Sequence, residues 1–64
     1  MKLATSNTKK GLEKLINEFY CSQNYRIGED NLLYNEKLSS ERLEKVNNTV
    51  KVEQVLGGWL FSKR

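Results

Sequence analysis

Residues 55–64 of this 64-residue chain read VLGGWLFSKR, a pair of glycines followed by large apolar side chains and a basic end. Paired glycines favour the two-residue turn of a β-hairpin, because such turns need positive φ angles that glycine adopts without steric cost. A turn centred on this pair places Leu56 opposite Trp59 and Val55 opposite Leu60, and the pairing continues residue by residue along the two strands. The stretch therefore predicts a C-terminal hairpin.

Alternation along the two strands of this hairpin sorts their side chains onto two faces. The first face carries Val50, Val52, Gln54, Leu56, Trp59 and Phe61. The second face carries Lys51, Glu53, Val55, Leu60 and Ser62. A chain of this length buries only about 60% of its unfolded surface, so its core needs the nearly continuous apolar first face. We therefore expect Trp59 and Phe61 to pack inward.

An amphipathic helix is predicted in the N-terminal third of the chain. Apolar residues recur there at the i, i+3, i+4 and i+7 positions that line one helix face. These residues are Leu12, Leu15, Ile16 and Phe19. The pattern predicts a helix from about Thr8 to Ser22, with Thr8, Ser6 or Asn7 as the N-cap. Residues 1–6 are expected to form a flexible N-terminal arm.

A second hairpin is predicted around the turn-forming cluster at residues 28–31, which lies between apolar and aromatic residues. A loop of all four residues places Ile27 opposite Leu32. The face that packs inward then carries Tyr25, Ile27, Leu32 and Tyr34. A tighter two-residue turn would instead oppose Tyr25 to Glu36. The first register buries more apolar surface and is preferred.

Helical spacing returns between the two hairpins, at Leu43, Val46 and Val50. This spacing predicts a short helix from about Ser40 to Asn47, capped by Ser39 or Ser40. The pair at residues 47–48 is a natural stop, since asparagine accepts the left-handed conformation that ends many helices. An irregular strand is the alternative, because a helix this short has little stability of its own.

Together these elements predict one small α+β domain over residues 1–64. Their order is helix, β-hairpin, short helix, β-hairpin, with the N-terminal helix packed on a small antiparallel sheet. The predicted core consists of Leu12, Leu15, Ile16, Phe19, Ile27, Leu32, Tyr34, Leu43, Val46, Val50, Val52, Leu56, Trp59 and Phe61.

The composition argues against catalysis. The chain has no histidine, which removes the commonest general base and the commonest metal ligand. Its single cysteine, Cys21, has no imidazole partner to activate it and is expected to be a small buried or half-buried thiol. We therefore expect a protein that is not an enzyme and that uses no cofactor, metal or small-molecule substrate.

The same inventory bears on location. One cysteine cannot form an internal disulfide, and the chain lacks both a signal-peptide pattern and an apolar run of about 18 residues. We expect a cytoplasmic protein with no membrane partner. The richness in asparagine and lysine is typical of A+T-rich coding, which suggests a small bacterial or mobile-element gene.

Positive charge is concentrated toward the chain ends. Residues 1–25 carry four basic and two acidic residues, residues 26–56 carry five basic and six acidic residues, and residues 57–64 carry two basic residues. This excess would attract phosphate if the fold brought the two ends together. Solubility is the plainer explanation of a net charge of +3.

The first binding hypothesis is contact with a nucleic-acid backbone. The candidate residues are Lys9, Lys10, Lys14, Arg42, Lys45, Lys63 and Arg64. A short helix followed by a glycine-turn hairpin is similar in element order to a winged-helix unit, which would direct Arg42 and Lys45 toward a groove. Glu41 and Glu44 on the same helix oppose this reading.

The alternative hypothesis is a protein-interaction module, either a homodimer or a small inhibitor or regulator of a larger partner. The contact would then involve exposed aliphatic side chains at Leu33, Val55 and Leu60. The unpaired edges of the two short hairpins would add backbone groups that invite strand pairing with another chain.

Overall fold

The computed structural model describes all 64 residues and contains two helices and five strands. In chain order they are β1 (Lys2–Ser6), α1 (Lys9–Phe19), β2 (Tyr25–Ile27), β3 (Leu33–Asn35), α2 (Ser40–Thr49), β4 (Val50–Val55) and β5 (Gly58–Lys63). A three-stranded antiparallel sheet has the order β1-β5-β4, and β2 and β3 form a separate hairpin. The predicted α+β class is confirmed, with α1 packed on the larger sheet. No helix has the length and apolar character needed to cross a bilayer.

Strand β1 was not predicted from the sequence. In place of the expected flexible arm, Lys2–Ser6 pairs antiparallel with β5 and makes β5 the central strand of the sheet. A β-bulge interrupts the pairing between Lys2 and Ala4, so that neighbouring residues Leu3 and Ala4 both pack against the core. The bulge removes the period of two from this segment, and alternation therefore gave no strand signal.

Helix α1 begins at Lys9, one residue after the expected start at Thr8, and ends earlier than expected. Thr8 is the N-cap, and its side-chain oxygen accepts a hydrogen bond of 3.0 Å from the backbone N–H of Gly11. The helix stops at Phe19, three residues short of the predicted end, because Cys21 adopts a left-handed φ of +53°. The Cys21 thiol is exposed, so the prediction of a buried or half-buried thiol was wrong.

The loop of the central hairpin is one residue shorter than expected. Asn31 takes a left-handed φ of +62°, and the Gly28 N–H donates to the Leu32 carbonyl over 2.8 Å. Gly28 and Leu32 therefore close a loop of three residues, 29–31, as in hairpin loops that end on a left-handed residue.

This shorter loop sets a register in which Ile27 faces Leu33. Both registers considered from the sequence were wrong. A shift of one residue reverses the face of every side chain on a strand. Leu32 and Tyr34 are accordingly exposed, whereas Leu33 and Asn35 are buried.

Helix α2 is confirmed, and the alternative of an irregular strand was wrong. Ser39 caps the helix by accepting a hydrogen bond of 3.2 Å from the Arg42 N–H. The helix passes through the predicted stop at Asn47 and continues to Thr49, after which the chain enters β4 without a loop.

Asparagine side chains from the two helices close both edges of the central hairpin. Asn17 of α1 accepts from the Tyr25 N–H over 2.8 Å and donates to the Tyr25 carbonyl over 3.2 Å. Asn47 of α2 makes the same pair of bonds with Leu33, at 2.8 and 2.9 Å. Each amide thus takes the place of a neighbouring strand. This role explains why Asn47 does not end its helix.

The C-terminal hairpin forms, but its turn lies one residue earlier than predicted. Leu56 and Gly57 are the central residues, Gly57 has a φ of +88°, and Val55 faces Gly58. Gly58 belongs to β5, where an added Cβ would collide with the backbone oxygen of Ser6 in β1. Moving the turn by one residue changes the partner of each β4 residue by two positions along β5, so that Val52 faces Phe61. Because side chains alternate with a period of two, the residues predicted to share a face still do.

The core combines one face of the larger sheet with α1 and the central hairpin. Its buried side chains are Leu12, Ile16, Tyr25, Leu33, Val50, Val52 and Phe61. Phe61 packs inward as predicted and is 0% exposed, whereas Trp59 is half-buried at the margin of the core. Five residues of the predicted core are instead exposed: Leu15, Phe19, Leu32, Tyr34 and Leu56. Ile27, Leu43 and Val46 are half-buried.

A candidate polyanion-binding surface at the chain ends

The fold brings the two chain ends together. The excess positive charge predicted at the two ends can therefore form a single surface. The Lys63 N–H donates to the Met1 carbonyl over 2.8 Å, and the terminal amine of Met1 donates to the Lys63 carbonyl over 3.4 Å. Two basic stretches separated by most of the sequence therefore meet at one end of the sheet.

Three residues form a row across this end of the sheet. Register pairs Lys51 of β4 with Ser62 of β5, and Ser62 with Lys2 of β1. All three side chains point away from the core, because Phe61 beside them points into it. None of the side chains on this second face belongs to the core, so no helix covers the row. We call Lys2, Ser62 and Lys51 the basic row.

Ser62 is the unusual member of the basic row. It is only 5% exposed, and its hydroxyl oxygen is buried with no hydrogen-bond partner. An unsatisfied buried polar group costs about 1–3 kcal/mol relative to its hydrated form. The centre of the row thus holds a hydroxyl that no group of the protein satisfies.

One carboxylate lies beside the basic row. The Lys51 Nζ is 3.6 Å from a carboxylate oxygen of Glu53, and both side chains are 43% exposed. Exposed ion pairs of this kind contribute about 0–1 kcal/mol. A stronger anion can therefore replace Glu53 as the partner of Lys51 at little cost.

Arg64 adds a cation to this end of the sheet and also fastens α2. Its backbone N–H donates to the Thr49 carbonyl and its side-chain Nε to the Asn47 carbonyl, both over 2.8 Å. These carbonyls lie in the last turn of α2, where a positive side chain is favourable. Lys63 is exposed beside it and, by alternation along β5, points to the opposite face of the sheet from Ser62, so this group of cations surrounds the end of the sheet. The basic row, the Met1 amine, Lys63 and Arg64 together form the terminal basic surface.

The lysines of α1 do not belong to this surface. Lys9 lies with its Nζ 5.5 Å from the centre of the Trp59 ring, in cation–π geometry. Trp59 is four residues from Lys63 along β5, a distance of roughly 13 Å. Lys10 and Lys14 are exposed and share a polar patch with Glu13 and Glu18.

The basic residues of α2 lie on an exposed face of mixed charge. Arg42 and Lys45 are exposed there, and so are Glu41 and Glu44. The seven predicted nucleic-acid-binding residues therefore do not form one surface, and only Lys63 and Arg64 lie at the chain ends. Lys2 and Lys51 were missed for two reasons. The position of Lys2 opposite Ser62 follows from β1, which the sequence did not reveal, and that of Lys51 follows from the shifted turn of the C-terminal hairpin.

Of the predicted protein-contact residues, Leu33 was wrongly assigned. It is 1% exposed and belongs to the core, as a result of the register of the central hairpin. Val55 is exposed and Leu60 half-buried, both on the uncovered face of the larger sheet. The expected open edges of the central hairpin are also absent, since Asn17 and Asn47 bond to them.

Shifted pKa values occur at Asp30 and at the three tyrosines, all of them away from the basic row. The Tyr34 hydroxyl donates to the Asp30 carboxylate, which lowers the pKa of Asp30 and raises the pKa of Tyr34. Burial raises the pKa of Tyr20 and the pKa of Tyr25. The first pair fastens the loop of the central hairpin to β3.

Comparison with known proteins gives no family: no family model, curated protein or solved structure matches this chain.

Proposed function

We propose that this protein is a small non-enzymatic binding module whose terminal basic surface contacts the backbone of a nucleic acid. The observation that carries this proposal is the meeting of the chain ends, which collects positive charge from β1, β4 and β5 on one uncovered end of the sheet. Phosphate contacts made by lysine and arginine supply affinity and position without reading sequence.

The chemistry of the surface favours backbone contact over base recognition. The terminal basic surface consists of cations and one serine, and α2 presents carboxylates beside its cations. The terminal basic surface is built by strands and the chain ends, so it presents no basic helix that could enter a groove and read bases. We therefore expect binding that tolerates changes of nucleic-acid sequence and responds strongly to salt.

A fluorescence-anisotropy titration against a mixed-sequence duplex tests the proposal. Four bound phosphates give a slope of about −3.6 in log affinity against log salt, so affinity should fall on the order of 100-fold between about 50 and about 200 mM salt. Absence of binding at the lower salt concentration would contradict the proposal.

A matched pair of double variants locates the contact. Lys2→Gln with Lys51→Gln removes two charges from the terminal basic surface, and Lys10→Gln with Lys14→Gln removes two from α1. All four side chains are exposed, so both variants should fold normally. We expect the first pair to weaken binding and flatten the salt slope by about 2, with little change from the second. Equal losses would mean attraction by net charge alone.

Self-association is the second candidate function, and the tip of the C-terminal hairpin is the observation that favours it. Leu56 is fully exposed there beside exposed Val55. A second copy could cover both side chains, and burial of apolar surface drives most protein association. Sedimentation velocity over a range of concentrations tests this candidate. A mass that rises with concentration and returns to that of the monomer in Leu56→Ser would support it, and a constant monomer mass would exclude it.

A further inference from the structure

We propose that the basic row is a discrete site for one tetrahedral oxyanion, a phosphate group, anchored by the Ser62 hydroxyl and held between Lys2 and Lys51. This inference rests on the proposed function and goes further, because it assigns a particular anchor and a stoichiometry of one phosphate group per chain.

The register of the sheet provides the geometry of the site. Adjacent strands lie about 4.8 Å apart, so the backbones at Lys2 and Lys51 are roughly 9.6 Å apart with Ser62 midway between them. Two lysine side chains rooted at this distance can bring their ammonium groups over the serine from opposite sides. A tetrahedral anion then accepts from three donors on three different strands.

The unpartnered hydroxyl of Ser62 is the observation that points to a ligand. The Ser62 oxygen is buried and without a partner, so a phosphate reaches it once the exposed side chains of Lys2 and Lys51 move aside. Phosphate oxygens accept hydrogen bonds strongly, and a bond to a charged acceptor is about twice as strong as one between neutral groups. A phosphate between the two lysines would satisfy the hydroxyl and both ammonium groups together.

Glu53 provides an internal competitor for this site. Its carboxylate lies 3.6 Å from the Lys51 Nζ, so the bound phosphate must displace it. Glu53→Gln should therefore increase phosphate affinity by removing both the competitor and its like-charge repulsion of the anion. A gain of binding cannot be explained by damage to the fold.

Titration with inorganic phosphate, followed by backbone amide chemical shifts, tests the site directly. We expect saturable shifts that fit one site and are largest at Lys2, Lys51 and Ser62. Ser62→Ala should weaken the binding about tenfold, Ser62→Thr should restore most of it because the hydroxyl is kept, and Glu53→Gln should strengthen it. The melting temperature of Ser62→Ala should not fall, since the hydroxyl has no partner within the protein. Shifts that do not saturate, or equal affinity in Ser62→Ala and wild type, would overturn the proposed site.

Parallel titration with the duplex separates this site from the proposed function. If Ser62→Ala binds duplex and phosphate as tightly as wild type does, while the Lys2 and Lys51 double variant loses duplex binding, the phosphate site is wrong and the polyanion surface stands. If phosphate binds with the expected response to the variants and the duplex does not bind, the site stands, its ligand is a free phosphate group, and the proposed function is wrong.

Discussion

Replacement of Asn47 by alanine should destabilise this protein far more than its position on a helix suggests. The Asn47 amide pairs with the backbone N–H and carbonyl of Leu33 at 2.8 and 2.9 Å, and its Nδ2 also donates to the Leu43 carbonyl. Leu33 is 1% exposed, so water cannot replace the lost partners. Alanine would leave two backbone groups of the core without hydrogen bonds.

The magnitude follows from those two groups. Each unsatisfied buried group costs about 1–3 kcal/mol, and the higher helix propensity of alanine returns about 0.5 kcal/mol. Two such groups cost about 2–6 kcal/mol, so we expect a net loss of about 1.5–5.5 kcal/mol in the free energy of unfolding. A chain of this length has a total of roughly 3–10 kcal/mol, so the variant should be close to the limit of folding.

Urea denaturation followed by circular dichroism measures this loss. With a slope of about 1 kcal/mol per molar urea, the midpoint for Asn47→Ala should fall by about 1.5 M or more. Asn48→Ala is the matched control, because it changes the same residue type on the same helix at an exposed position. It should be neutral or slightly stabilising.

A conservative variant separates the two hydrogen bonds to Leu33. Asn47→Asp keeps the acceptor for the Leu33 N–H but replaces the donor to its carbonyl with a carboxylate oxygen that repels it, so the variant should be less stable than wild type by more than the worth of that one hydrogen bond. A loss below about 0.5 kcal/mol in Asn47→Ala, the range of ordinary surface substitutions, would refute the assignment of Asn47 as a substitute strand.

Three further predictions concern the turns and the titrating groups. Gly58→Ala should cost about 2 kcal/mol or more by urea denaturation, since its Cβ would meet the Ser6 backbone oxygen, whereas Gly57→Ala has open space and should cost only about 1 kcal/mol for its positive φ. Tyr34→Phe should raise the pKa of Asp30, measured by carboxyl chemical shifts, because the strongest hydrogen bond to the ionised carboxylate is lost; an unchanged pKa would contradict this cause. All three tyrosines have raised pKa values, so the folded state holds their protons more tightly than the unfolded state does. Stability should be undiminished below pH 10.0 and fall above it, in step with phenolate absorbance; a melting temperature that stays constant through tyrosine ionisation would exclude this linkage.

The structure changes which basic residues are grouped together. The sequence directed attention to lysines on helices, but Lys9 is engaged with Trp59 and the cations of α2 alternate with carboxylates. The surface with the clearest excess of charge and an unsatisfied hydroxyl is instead built by three strands. This surface depends on the pairing of Lys2 with Ser62, two residues that lie 60 positions apart in the chain.

The sequence alone determined the fold class, the inward direction of Leu12 and Ile16 on α1, and the inward direction of Phe61. Helical and strand periodicities are local properties, and a two-residue slip of the C-terminal hairpin preserves which side chains share a face. The sequence also placed each N-cap among two or three neighbouring residues that include Thr8 and Ser39, because a cap is satisfied within its own first turn.

Only the tertiary structure decided strand β1, the register of the central hairpin and the partners of Asn17 and Asn47. A bulged five-residue strand has no period, and it is stabilised by hydrogen bonds to β5 at the far end of the chain. The central hairpin turns on the left-handed conformation of one residue, Asn31, which residue preferences permit but do not require. Such choices depend on contacts between residues distant in sequence, and these contacts exist only once the chain has folded.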